Sequence, residues 1–163
     1  MTNLTTLSRR GFLIAASAAA CCAGVTRAQA GMMQYSTGLF SMRSSHTGES
    51  LHVQFRSATG YDGDALRQID WFMRDWRMKE SKPFDARTLE MMSAIRNFVG
   101  SSAPFVLTSG YRSAATNDML RSKGIKAARH SLHMQAQAVD LCLDGYSIKG
   151  LAQAASSCGA GGI

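Results

Sequence analysis

An aspartate stands inside an apolar run near the end of this chain. Residues 136–143 read as a strand, carried by Ala136, Ala138, Val139, Leu141 and Leu143, yet Asp140 interrupts the run. A carboxylate on a buried strand is costly unless it is paired or ligates a metal. His133 lies seven residues upstream. Fully extended, that stretch spans about 23 Å. The two side chains can share an ion only if the chain turns between them, at Met134-Gln135-Ala136. Imidazole nitrogen and carboxylate oxygen both suit zinc, and a catalytic zinc takes three protein ligands with one position left for water.

The elements around this segment are legible from periodicity. Leu51, Val53 and Phe55 alternate with His52, Gln54 and Arg56, the pattern of a half-buried strand. Residues 38–42 suit its hairpin partner, with Thr47-Gly48-Glu49 as a turn. Asp62 offers an N-cap, and Leu66, Ile69, Phe72, Met73 and Trp76 recur at helical spacing. They predict a helix over 64–78 with Trp76 toward the core and the charges of Arg74 to Arg77 pairing locally. Leu89, Met92, Ile95 and Val99 predict a second helix over 86–99, stopped by Gly100. A short strand over 104–107 precedes Thr108-Ser109-Gly110, and helices are expected over 114–121 and 148–155. Helices first, with strands around the middle and end, predict an α+β fold.

The first thirty residues have a different character. Arg9-Arg10 directly precedes an uncharged stretch from Gly11 to Val25, and Ala28-Gln29-Ala30 supplies a small-x-small cleavage pattern. This order is that of a secretory signal, and the paired arginines mark its twin-arginine (Tat) form. The expectation is therefore a signal peptide over 1–30, the Tat translocase as a transient partner, and a domain over 31–163 working in the periplasm or cell envelope. Ala and Ser dilute the apolar stretch too much for a stable membrane span. Arg9, Arg10 and Arg27 lie in the signal and no acid does, so removing it lowers the net charge from +7 to +4. That residue of charge argues against nucleic acid as a partner and is compatible with an anionic wall polymer. Cys142 and Cys158 remain in the exported part, as a disulfide or as free thiols.

The motifs converge on a known pattern. Ser131-x-His133-x-x-Ala136-x-Ala138-x-Asp140 resembles the Ser-x-His-x-x-Gly-x-Ala-x-Asp motif of the M15 peptidases. Arg74-Asp75-Trp76-Arg77, Ser109-Gly110-Tyr111-Arg112-Ser113 and Thr116-Asn117 resemble the exported branch of that family related to murein endopeptidase K. The likeness extends from about Leu51 to the end. It implies a small antiparallel sheet with flanking helices, of the hedgehog and D,D-peptidase kind. It also implies His133 and Asp140 as ligands of Zn2+, Arg112 as a catalytic residue at the scissile carbonyl or a substrate carboxylate, and Ser131 as a catalytic support. The substrate class it implies is the peptide stems of peptidoglycan.

Two departures stand out. Ala136 occupies the usual glycine position, where a positive φ would strain it by about 1 kcal/mol or more. The family's third ligand is a histidine, and none of His46, His52 and His130 matches its position. Gly161-Gly162-Ile163 resembles the start of the family's next strand, so the domain is expected to be incomplete at its C-terminus. Two expectations follow: a zinc murein peptidase present in shortened form, or an inactive remnant that binds wall peptides without cleaving them.

Overall fold

The computed structural model describes residues 37–158; the export segment lies outside them. A hairpin comes first. Strand β1 (Leu39–Ser44) pairs antiparallel with β2 (Ser50–Gln54), in register from Leu39 opposite Gln54 to Arg43 opposite Ser50. The Ser44 hydroxyl accepts from the amides of His46 and Thr47, and Gly48 takes φ 72°, which closes the turn. A minor hairpin follows, β3 (Arg56–Ser57) with β4 (Gly60–Tyr61).

Helix α1 (Gly63–Phe72) begins where Asp62 accepts from the amides of Asp64 and Ala65. It buries Ala65, Ile69 and Phe72. It stops six residues short of the end that periodicity predicts. Met73–Met78 instead forms a turn around Asp75, and Trp76 is 39% exposed instead of facing the core. Asp75 explains this: its carboxylate accepts from the amides of Arg77 and Met78 and from both the amide and hydroxyl of Ser113. A continued helix would turn it away from those donors.

Helix α2 (Ala86–Phe98) is capped by Asp85 and buries Leu89, Met92 and Ile95. Strand β5 (Phe105–Ser109), helix α3 (Ala114–Ser122), a 3-10 helix (Leu132–Gln135), strand β6 (Asp140–Leu143) and helix α4 (Ile148–Ser157) complete the described fold.

The main sheet has the order β2-β1-β5-β6. β1 and β5 run parallel, while β2–β1 and β5–β6 are antiparallel. The chain is thus α+β, with a small open sheet flanked by helices. Helix α1 packs on β2, α2 on β1 and α4, and α4 on β6. Phe40, Met42, Ile69, Met73, Leu89, Phe105, Leu107 and Leu143 meet in one core. Each fully buried side chain of this size contributes about 1.5–3 kcal/mol. No helix among the described residues is long and apolar enough to cross a membrane.

This topology brings three segments to one end of the sheet. They are the β1–β2 turn, the C-terminal end of β5, and the N-terminal end of β6. The candidate site residues lie there.

Candidate functional site

The 3-10 helix turns the chain between the two ligand candidates. It ends at Ala136, which adopts the left-handed conformation, φ 55° and ψ 39°. The conditional strain at this non-glycine position is therefore present. Ala136 is fully buried, and its carbonyl accepts from the Asp85 amide, so the turn is clamped to the start of α2.

The strand containing Asp140 begins at that residue, four positions later than the apolar run suggests. Asp140 pairs with Ser109 across a register shift between Leu107 and Ser109. A bulge of this kind re-aims side chains at a strand end. The Asp140 side chain is 59% exposed, so it is not a buried carboxylate inside a strand. The Thr108 hydroxyl donates to its backbone carbonyl, fixing the start of β6.

The structure brings His133 and Asp140 together. His133 Nε2 lies 3.5 Å from Asp140 Oδ2, and the His133 side chain is 13% exposed. His133 Nδ1 lies 2.9 Å from the Gly110 carbonyl oxygen. A carbonyl only accepts, so Nδ1 carries the proton and donates. In the neutral ring Nε2 is then a bare lone pair facing a carboxylate oxygen. Two acceptors at that separation repel unless a cation joins them or the ring takes up a second proton. Two ligands of a tetrahedral zinc, at about 2.0–2.1 Å each, stand roughly 3.3–3.4 Å apart. The pair therefore fits as two donors of a metal centre, with the Gly110 bond as the orienting partner that ligating histidines require. Among the described residues, no group of three His, Cys, Asp or Glu is placed to hold a metal. His52 and His130 are exposed, and neither forms such a group of three with the pair.

Gly110 is held in place by close packing. A Cβ there would come within 2.4 Å of the Met73 carbonyl oxygen. That same oxygen accepts from the Tyr111 amide at 2.8 Å. The Arg112 amide in turn donates to the His133 carbonyl. The segment 110–112 and the 3-10 helix thus hold each other by one bond in each direction.

Arg112 is half-buried. Its guanidinium donates to the Ser109 hydroxyl at 3.2 Å and to Asn117 Oδ1 at 3.5 Å. Asn117 is fully buried and anchored by its amide to the Ala128 carbonyl. Both partners of Arg112 are neutral. Ser131 is buried at the start of the 3-10 helix, and its hydroxyl makes no capping bond there; its carbonyl accepts from the Met134 amide.

A shallow cleft next to Gly110, the partner of His133, is lined in part by Trp76, Arg77, Ser109, Gly110 and Arg112. Asp75 also lines it. Burial opposes the charge of Asp75, but hydrogen bonds from Ser113 and Met78, with the Thr116 hydroxyl beside them, hold its carboxyl below the ordinary value. At the edge of the cleft, the Arg74 guanidinium and the Thr47 hydroxyl hold the Glu49 carboxyl below its usual range.

Two residues here escape sequence reasoning. His46 stacks on Trp76, with ring centroids 5.0 Å apart, and its Nε2 lies 3.0 Å from the Thr108 carbonyl oxygen. Arg77 places its guanidinium 4.3 Å from the Trp76 ring centroid. The Arg-Asp-Trp-Arg run was the available signal for Trp76 and Arg77; nothing local marks His46. Cys142 and Cys158 are free thiols, and burial pushes the Cys158 thiol up.

Comparison with known proteins gives one consistent answer. A family described as peptidoglycan L,D-endopeptidase MepK matches residues 33–163. The peptidoglycan L,D-endopeptidase MepK of Escherichia coli strain K12 is 32% identical over 125 residues, covering 77% of this chain and 69% of that protein. The probable peptidoglycan L,D-endopeptidase MepK of Haemophilus influenzae is 29% identical over 126 residues, covering 77% of this chain and 68% of that one. No solved structure matches.

Proposed function

The chain belongs to the family of peptidoglycan L,D-endopeptidase MepK, and on that premise we propose that it is an exported zinc peptidase hydrolysing peptide-stem or cross-link amides of peptidoglycan. The observation that carries this reading is the approach of His133 Nε2 to Asp140 Oδ2, with Nδ1 committed to Gly110.

His133 and Asp140 would hold the metal. A bound zinc supplies a Lewis acid that lowers the pKa of water enough to provide hydroxide near neutral pH. The remaining roles belong to the chain. Gly110 fixes the ring of His133, so that Nε2 points toward Asp140. Arg112 offers a planar fork of donors, aimed by Ser109 and Asn117, to the oxygen that gains charge as the amide is attacked, or to a stem carboxylate. Ser131 supports the ligand turn from its buried place at the start of the 3-10 helix.

Residues 1–30 fit the same reading as a twin-arginine signal that delivers the domain to the periplasm or envelope through the Tat translocase. That route carries folded proteins, so a metal could be acquired before export.

A second reading is that the chain binds wall peptides without cleaving them. It is favoured by the lack, among the described residues, of a third side chain to complete the metal set. One experiment separates the two. The full chain is incubated with isolated peptidoglycan, with zinc and after chelation. Zinc-dependent release of stem fragments, abolished in His133→Ala, supports the peptidase. Retention on the wall without release supports the binding protein. Neither release nor retention would overturn both.

A further inference from the structure

The cleft next to Gly110 is lined by three arginines, which differ in how their charge is used. Arg74 is ion-paired with Glu49 at 3.0 Å and lies 4.5 Å from the Trp71 ring centroid. Arg112 has only neutral partners, Ser109 and Asn117. Arg77 has no hydrogen-bonding acceptor for its guanidinium among the described residues; its guanidinium lies over the ring of Trp76. Asp75, which lines the same cleft, is buried and engaged by backbone amides and by Ser113. Neither Arg77 nor Arg112 is ion-paired with a carboxylate among the described residues, although both line this one cleft.

The geometry around Arg77 restricts it. The Trp76 indole meets both the Arg77 guanidinium and the His46 ring, and His46 is tied to Thr108 at the end of β5. The wall is therefore anchored to the same strand whose next residues, Ser109 and Gly110, support Arg112 and His133. An arginine stacked on an aromatic face keeps its in-plane donors free. Those donors suit a carboxylate, which takes a planar fork in two parallel bonds.

We infer that Arg77, carried on the His46–Trp76 stack, is a substrate-binding residue that works with Arg112 to recognise a free carboxylate on the peptide stem. The apolar part of the stem residue lies against Trp76. This rests on the peptidoglycan reading above and adds the selection for anionic stems to it. Arg77 is a specificity residue and takes no part in holding the metal.

The test uses the full chain in a Trp71→Phe background, where Trp76 is the remaining tryptophan of the two in the sequence. Its emission is titrated with a stem tetrapeptide bearing free carboxylates, and with the same peptide amidated at those carboxylates. The free form is expected to bind at least about tenfold more tightly, the scale of one charge-assisted contact. Arg77→Gln should remove most of that preference, and Arg77→Lys should restore part of it, because a point charge replaces the fork. Arg43→Gln, at an arginine paired with Asp144, should leave the preference intact. Equal binding of the two peptides, or a preference unchanged in Arg77→Gln, would overturn the assignment while leaving the peptidoglycan reading in place. Binding of neither peptide would overturn both. Zinc affinity measured on Arg77→Gln should equal that of the parent; a loss there would also overturn the assignment, by showing that the residue acts through the metal site.

Discussion

His133 and Asp140 face each other across a single turn, Nε2 3.5 Å from Oδ2, while the other ring nitrogen of His133 is committed to the Gly110 carbonyl. That commitment decides the chemistry of the pair. With the proton held on Nδ1, the neutral ring presents only a lone pair to the carboxylate. A cation, or a second proton on the ring, is needed to relieve the repulsion.

The Gly110 carbonyl can hold His133 only while its backbone stays against Met73. Adding a methyl group at 2.4 Å from the Met73 oxygen forces that contact apart. Gly110→Ala should destabilise the fold by about 2 kcal/mol or more. It should also weaken zinc binding about 10- to 100-fold, the usual effect of losing an orienting partner. Urea unfolding and metal titration measure the two effects separately.

Ala136 in the left-handed region costs about 1–2 kcal/mol. Replacing it with glycine relieves that strain, but removes a fully buried methyl worth about 0.8 kcal/mol and adds about 0.4–1 kcal/mol of unfolded-chain entropy. These terms nearly cancel, so Ala136→Gly should stay within about 0.5 kcal/mol of the parent. Ala136→Val, with a branched side chain in the same conformation, should lose more than about 2 kcal/mol. Chemical denaturation of both variants checks the pair; a large gain from glycine would show that the methyl contributes little.

Much of this arrangement was visible in the residues. The turn between His133 and Asp140, the cap at Asp62, and the hairpin partner of β2 all follow from local chemistry. What stayed hidden depends on contacts distant in the chain. The periodicity through Met73 and Trp76 continues past the end of α1. The chain leaves the helix because Asp75 meets Ser113, thirty-eight residues away. The apolar run before Asp140 resembles a strand, but its first residues pack as a clamped turn, which leaves Asp140 at the exposed strand start. The parallel pairing of β1 with β5 has no local signature. That pairing carries His46 to Thr108 and Trp76.

Asp75 should give stability a measurable acid dependence. Its folded pKa is held below its unfolded value. The stabilisation it provides is therefore complete above the unfolded value, about 3.9, and is lost as pH falls through the folded one. Asp75→Asn should flatten this part of the stability curve below about pH 4. Asp75→Ala, which leaves the Ser113 hydroxyl and several amides without an acceptor, should cost about 3 kcal/mol at neutral pH. Thermal melts from pH 2 to pH 7 would test both.

Arg112 acts on the substrate in this account. Arg112→Gln should lower kcat/KM on peptidoglycan stems about 100-fold, as loss of one preorganised donor does, and leave zinc affinity unchanged. Arg112→Lys should recover only a small part, because the fork geometry is lost. An equal loss of zinc in Arg112→Gln would place its role in the metal site instead.

The most direct measurement is the zinc affinity of the full chain beside His133→Ala and Asp140→Asn, by competition with a chromophoric chelator. The account predicts that the parent chain binds zinc and that each variant loses at least about 100-fold in affinity. A parent chain that binds no zinc, or variants that bind it as the parent does, would contradict the metal centre on which the proposed peptidase rests.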